Sequence, residues 1–322
     1  MTKLALITGI TGQDGSYLAE YMLERGYQIV GSVRSRSEAI SRLPKGLVNK
    51  VELVEWNLLD YQKIVQILSY YRPAEIYNLA AYSSGAAMFE DPLGIGEING
   101  LAVTRLLEAI LEIDLKIRFC QASSREIFGE PTESPQTELT QTIPRSPYGA
   151  SKLYADSMIR IYRQRHNLFA CSAILFNHES PRRNLEFVTR KITYEAVKIK
   201  LGLAHTLNLG NLEAYRDWGF AGDYVRAMWL MLQQDQADDY VVATGKVHSV
   251  REICELAFSH LDMDYRDYVR EEMAAYRPAE AFLLVGCAAK ANSKLNWRPE
   301  IEFKDLIYMM VDEDLRYLSN SN

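Results

Sequence analysis

The chain reads as an α/β protein: a doubly wound parallel sheet joined to a smaller mixed α/β lobe. Three observations support this. Short apolar runs alternate with amphipathic stretches through the first half, a glycine-rich turn follows the first run, and the pattern turns mixed in the second half. Strands are expected at 4–8, 28–33, 51–56, 75–79, 117–122 and 169–175, with helices at 17–25, 62–71, 100–113 and 148–165. Near-continuous apolar strands suit a parallel sheet buried on both faces. In the second half, helices are expected at 185–202, 250–261 and 303–318, and strands at 206–210 and 239–243. The tract from Gly129 to Pro147 is long and carries several prolines, which suits a loop crossing the mouth of a site. No Gly/Pro/Ser-rich linker and no internal repeat divides the chain. The expected division is 1–178 with 215–244 as a dinucleotide-binding domain, and 179–214 with 245–322 as a substrate lobe.

A length of 322 residues with 48% hydrophobic and 24% charged residues is ordinary for a soluble globular protein. The net charge of −6 does not favour a nucleic-acid partner, which would want a basic face. Cys120, Cys171, Cys254 and Cys287 are widely separated, so neither a zinc ribbon nor a redox dithiol is indicated and no metal is expected. The apolar run after Met1-Thr2-Lys3 is too short for a secretory signal, and no stretch reaches the length of a membrane span. A cytoplasmic protein is expected.

The run Leu4-Ala5-Leu6-Ile7-Thr8-Gly9-Ile10-Thr11-Gly12-Gln13-Asp14-Gly15 places three glycines between a strand and a helix. Gly9 permits the tight turn, Gly12 lets backbone amides approach a pyrophosphate, and Gly15 permits close helix–strand packing. The phosphates would then lie at the positive end of the following helix. This is a Rossmann-type arrangement, and it calls for a dinucleotide. The second strand ends in Val33-Arg34-Ser35-Arg36-Ser37. An NAD site usually places Asp or Glu there, whereas Arg34 suits the 2′-phosphate of NADP, so NADP is expected over NAD. The same four residues also suit a solvated turn. Asn57 and Leu58 end the third strand, where an adenine would rest. Leu79, Ala80 and Ala81 follow the fourth, leaving room for ribose and pyrophosphate.

Ser146-Pro147-Tyr148-Gly149-Ala150-Ser151-Lys152 reads as a helix start, with Ser146 as cap and Pro147 in the first turn. Tyr148 and Lys152, four apart, share a face, and a nearby ammonium favours tyrosinate, making Tyr148 a usable acid or base for a sugar hydroxyl. The fifth strand leads into Ser123-Ser124-Arg125-Glu126. Residues two apart on an extended segment point the same way, so Ser124 and Glu126 can both reach a substrate. His178 reads as a satisfied core histidine, and Trp218 and Trp229 as core.

At these residues the chain resembles the GDP-mannose 4,6-dehydratases, a branch of the extended short-chain dehydrogenase/reductases, whose GxxGxxG spacing it shares. The shared pieces are residues 9–15, 75–81, 144–149, 174–183, 187–192, 216–219 and 276–280, nearly end to end. The resemblance implies a lyase that recycles its cofactor. Carbon 4 is oxidised while Tyr148 takes the hydroxyl proton, Glu126 assists loss of water across carbons 5 and 6, and hydride returns to carbon 6, giving a GDP-4-keto-6-deoxy-mannose. It implies that Lys152 holds the cofactor ribose, and that Gln13, Asp14, Asn177 and Arg183 join the cofactor site. It places Ser83, Asn177, Lys191, Arg216, Arg277 and Glu280 around the GDP-sugar, and a homodimer or homotetramer as the assembly. The chain departs from that family at Ser124 (usually Thr), Arg125 (usually Ser), Asn57 (often Asp), Tyr82-Ser83-Ser84-Gly85 and Ala281-Phe282. The alternative is a carbon 4 dehydrogenase, reductase or epimerase acting on a related GDP-hexose or GDP-heptose. A dinucleotide-binding module without chemistry would not need Ser124, Tyr148 and Lys152 together.

Overall fold

The computed structural model describes residues 2–82, 89, 91–272 and 283–320. The chain opens with β1 (Leu4–Thr8), α1 (Gln13–Leu23), β2 (Gln28–Val33), α2 (Arg36–Arg42), β3 (Glu52–Glu55), α3 (Tyr61–Tyr71) and β4 (Glu75–Asn78). It continues through α4 (Pro92–Ile95), a π-helical turn (Gly96–Leu101), α5 (Ala102–Ile113), β5 (Arg118–Ala122), a 3-10 turn (Arg125–Ile127), α6 (Pro147–His166) and β6 (Ala170–Leu175). Next come β7 (Asn177–Glu179), α7 (Val188–Lys200), β8 (Leu207–Leu209), β9 (Tyr215–Arg216), β10 (Trp218–Phe220), α8 (Ala221–Leu232) and β11 (Tyr240–Val242). The last elements are β12 (His248–Ser249), α9 (Val250–Ser259), α10 (Tyr265–Tyr268), β13 (Val269–Glu271), α11 (Ala289–Leu295) and α12 (Phe303–Ser319).

Seven parallel strands form the large sheet in the order β3-β2-β1-β4-β5-β6-β11. The chain winds outward from β1 to β3, then crosses to β4 and winds the other way. That reversal opens a crevice beyond the carboxyl ends of β1 and β4, where ligands of such sheets bind. Alternation along β1 shows how the layers form. Ala5 and Ile7 enter the core under α1 and α8, while Leu6 enters the core under α3, α5 and α6. A third core joins α7, α9 and α12 with β8 and Trp218. Leu284, Ala291, Leu295 and Trp297 return to the first core, so the chain comes back to the large sheet after building the second lobe.

The sequence expectations omitted helix α8, the short helices α2, α4, α10 and α11, and the short strands β7, β9, β10, β12 and β13, and three local features also differ. Helix α1 begins at Gln13, not at residue 17, because its polar first turn is buried: Gln13 accepts from the Ser180 hydroxyl and Ser16 from Arg182. A π-helical turn precedes α5, which itself starts at Ala102. The solvated turn read at 34–37 instead opens α2, capped at Ser35. Residues 129–146 carry isolated β-bridges but no helix or strand, and Gln136 ties the tract to the chain at 285 and 287 through backbone hydrogen bonds of 2.8 Å each.

A buried ion pair fastens α7 to α12. Arg190 Nη1 donates to Asp314, and the Thr193 hydroxyl donates to the other carboxylate oxygen at 2.8 Å. Burial pushes the Asp314 carboxyl above its usual pKa despite Arg190 beside it. Replacing Asp314 with Ala strands a buried guanidinium and is expected to cost about 3–5 kcal/mol. Urea denaturation checks this, and a loss under about 1 kcal/mol would show that Arg190 finds another acceptor.

Candidate active site

The glycine loop is built for close approach. Gly9 has φ of +70°, and a Cβ there would lie 2.8 Å from the Ala80 amide nitrogen. A Cβ on Gly15 would lie 2.3 Å from the Gly9 carbonyl oxygen and 2.6 Å from Ile10 Cα. Gly12 begins α1 without a side-chain cap. Loop, helix start and the exit of β4 therefore pack backbone to backbone, the cradle a dinucleotide pyrophosphate needs. The neighbouring side chains turn inward. Gln13 donates to the His178 carbonyl at 3.1 Å, and Asp14 pairs with His178 Nε2 at 2.9 Å. Burial alone would raise the Asp14 carboxyl and lower His178. Their mutual attraction outweighs it, so Asp14 lies below and His178 above its ordinary value. The Gln13 and Asp14 side chains are thus engaged with β7 and Ser180, which leaves only their backbone for a ligand. His178, read as a satisfied core histidine, has a carbonyl and a carboxylate as partners.

Thr8 closes β1 and gathers the exit of β4. Its hydroxyl accepts from the amides of Leu79 and Ala80 at 3.0 Å each and donates to Asn78 Oδ1 at 2.6 Å. Ala81 follows half-buried. Arg34 is exposed just beyond β2, while the Arg36 amide donates to Glu55 at 2.8 Å. Asn57 accepts from the Leu59 amide at 3.0 Å. The Leu58 side chain packs into the core under α3, so only its backbone can meet a ligand.

Ser146 caps α6, accepting from the Gly149 amide at 3.0 Å, with Pro147 in the first turn. Tyr148 and Lys152 are both buried. The Tyr148 hydroxyl lies beside Ser124; burial, aided by Glu126, pushes its pKa up to about 12. Lys152 Nζ donates to the Ala122 carbonyl at 2.8 Å, and burial lowers its pKa to about 8. Asp156 sits one turn further along and accepts from the Ser123 and Ser172 hydroxyls at 2.5 and 2.7 Å. Burial raises its pKa to about 6. Asp156 was missed in the sequence, although the spacing 148, 152, 156 puts all three on one helix face. Gly149 lets α6 approach the acidic turn: a Cβ there would lie 2.5 Å from the Glu126 carbonyl oxygen. Ser124 caps the turn carrying Glu126.

Glu126 pairs with Arg125 Nη2 at 2.9 Å, and Arg125 Nε donates to Asn177 Oδ1 at 2.8 Å. Arg183 lies 3.3 Å from Glu179, with its guanidinium 3.4 Å over the Phe187 ring. Lys191 donates to the Asn208 carbonyl at 2.7 Å, and Arg216 to the Tyr215 carbonyl at 2.6 Å. Lys191 lies on α7 and Arg216 on β9, which pairs with β12, and none of their described hydrogen bonds reaches the Tyr148 cluster. Asp217 is not the ion-pair partner of Arg216. It accepts from Thr244 and from the amides of Gly245 and Gly286. Trp218 is core, stacked on Phe303. Trp229 is half-buried and donates to the Tyr27 hydroxyl. Ser83, Arg277 and Glu280 lie outside the described residues.

Solved structures share the whole architecture. RMD from Pseudomonas aeruginosa, complexed with NADPH, has a TM-score of 0.83 at 24% identity, covering 98% of this chain and 100% of that one. A dTDP-glucose 4,6-dehydratase from Bacillus anthracis, in complex with NAD, has a TM-score of 0.85 at 21% identity, covering 99% and 98%. These likenesses show the fold, a Rossmann-type doubly wound parallel sheet flanked by helices. The family model described as GDP-mannose 4,6 dehydratase matches residues 6–310. GDP-mannose 4,6 dehydratase 2 of Arabidopsis thaliana is 47% identical over 325 residues, covering 97% of this chain and 87% of that protein. The chain belongs to the GDP-mannose 4,6-dehydratase family.

Two outcomes follow from this geometry. Gly15→Ala forces the loop away from α1 and is expected to weaken nicotinamide dinucleotide binding at least 10-fold by calorimetry. Retained affinity would show that the loop does not hold the dinucleotide. The second concerns pH. The Lys152 pKa is lowered, so its ammonium is lost as pH rises through about 8 instead of 10.5. Asp156 is raised, so its carboxylate appears only above about 6. Both charges coexist between those values, and kcat/KM is expected to peak there. Asp156→Asn removes an attraction that raises Lys152, so the alkaline limb should move to lower pH; an unmoved limb would refute the coupling.

Proposed function

We propose that this chain is a GDP-mannose 4,6-dehydratase, converting GDP-mannose to GDP-4-keto-6-deoxy-mannose. The observation that carries the reading is Glu126 in the turn beneath α6, beside Ser124 and Tyr148. A simple carbon 4 redox enzyme needs no such second acid–base group. The sequence relatives support the same substrate class.

Gly9, Gly12 and Gly15 would cradle the cofactor pyrophosphate, with the amides of Gln13 and Asp14. Leu79, Ala80 and Ala81 would line its path, and Asn57 and Leu58 would border the adenine. Arg34, exposed where β2 ends, supports NADP over NAD. Asn177 and Arg183 would close the nicotinamide end. Bound NADP would supply a hydride acceptor for carbon 4 and a hydride donor for carbon 6 with no net consumption, and carbon 5 would then take a proton from solvent through Glu126.

Ser124 orients the carbon 4 hydroxyl, and Tyr148 takes its proton. Lys152, held by the Ala122 carbonyl, places a positive charge beneath Tyr148. Glu126 then takes the carbon 5 proton, which the 4-keto group acidifies. The electron pair forms the carbon 5–carbon 6 double bond, the carbon 6–oxygen bond breaks, and Glu126 protonates the departing hydroxyl as water. Lys191 and Arg216, with Ser83, Arg277 and Glu280, would grip the GDP portion, where cations suit a pyrophosphate and a carboxylate suits ribose hydroxyls or a guanine edge. The same reading places the protein in the cytoplasm, as a homodimer or homotetramer. Four unpaired cysteines support a reducing compartment.

The test is a mass-resolved assay with GDP-mannose and NADP. The expected product has lost one water, and Glu126→Gln lowers its formation about 10²–10⁴-fold. Oxidation without water loss in the wild-type protein would favour a carbon 4 dehydrogenase on the same frame. Full activity in the Gln variant would remove Glu126 from the acid–base role.

A further inference from the structure

We infer that Arg125 is a positioning residue, which locks the carboxylate of Glu126 and the amide of Asn177 into one working geometry through the fork of its guanidinium. The inference rests on the dehydratase reading.

The side chain of Arg125 is 9% exposed. One edge of its guanidinium serves two groups at once: Nη2 lies 2.9 Å from Glu126 Oε1, and Nε lies 2.8 Å from Asn177 Oδ1. These partners come from separate parts of the fold. Glu126 stands on the turn after β5, and Asn177 opens β7 beyond the end of β6. A planar guanidinium fixes both contacts in one orientation, which a flexible ammonium cannot do. The cluster is also costly to keep. Among the described residues Arg125 Nη1 is buried without an acceptor. A buried donor left unmatched detracts from stability, so fold stability alone does not account for this residue.

The geometry suits the chemistry of Glu126. On the dehydratase reading that carboxylate first accepts the carbon 5 proton and then delivers a proton to the carbon 6 oxygen. A carboxylate held in one placement by Arg125 makes both transfers without reorienting, and carbon 4 oxidation is left to Ser124, Tyr148 and Lys152. Loss of Arg125 should therefore slow elimination, which needs the held carboxylate, far more than oxidation, which loses only the hold on Asn177.

The experiment compares wild type, Arg125→Lys and Arg125→Met in single-turnover assays with GDP-mannose and NADP. Absorbance at the reduced-nicotinamide band follows oxidation, and mass analysis follows water loss. Solvent deuterium entering at carbon 5 reports the proton transfer directly. The expected result is water loss slowed about 10- to 100-fold in Arg125→Met, with KM within about 3-fold of wild type. Deuterium entry slows in parallel, and reduced nicotinamide accumulates because oxidation persists. Arg125→Lys, which keeps the charge and one contact, falls between, and carries the same test if the Met variant does not fold. Unchanged water loss beside an active wild type overturns the positioning role and leaves the dehydratase reading standing. Equal loss of oxidation and elimination also overturns it, because that marks a merely structural residue. A wild type that oxidises without dehydrating overturns both.

Discussion

The candidate site depends on a line of buried hydrogen bonds across the carboxyl ends of three strands. Thr8 on β1 donates to Asn78 on β4, and Asn78 donates to Gln121 on β5 at 2.7 Å. Gln121 donates to the Ala122 carbonyl at 2.9 Å, the same oxygen that receives Lys152 at 2.8 Å. Each member is buried, so each would be expensive unpaired, and together they strengthen one another. The line runs from the strand that feeds the glycine loop to the lysine beneath Tyr148. A shift of one strand end would move both halves of the site.

The segment after β6 performs the matching task on the other side of the crevice. His178 and the 180–182 turn hold the start of α1 through Asp14, Gln13 and Ser16. One residue earlier, Asn177 holds Arg125 and through it Glu126. A strand of three residues thus ties the cofactor loop to the acid–base turn. β7 is itself anchored by parallel pairing with β10 and by the stacking of His178 on Tyr224 of α8. This explains why so much polarity is tolerated near the core: nearly every such group has a partner on another element.

The periodic elements were legible in the sequence because burial on a sheet face or helix stripe leaves a period of two or 3.6. The glycine spacing, the Ser146–Pro147 helix start and the 148/152 pair were legible for equally local reasons. The polar first turn of α1 was not, since Gln13 and Ser16 are buried only by partners some 165 residues away. Leu58 shows a different limit. Its position at a strand exit suggests an adenine contact, and only the fold shows that its side chain packs inward and leaves the backbone for that role. Asp156 carried a readable signal in its helical spacing, but only packing against Ser123 and Ser172 marks it as buried.

By itself the sequence determined the sheet class, the backbone cradle and the chemical identity of the reacting side chains, because these follow from local propensity and short spacings. Tertiary structure alone decided their company. Arg125 stands out in sequence only as a departure from the family's usual Ser until β7 brings Asn177 to it, and His178 reads as a satisfied core histidine whose partner, Asp14 of α1, only the fold supplies. The physical reason is the same in both cases. Burial removes water as the competing partner, so a polar group's partner, orientation and charge are set by whichever element the fold presses against it.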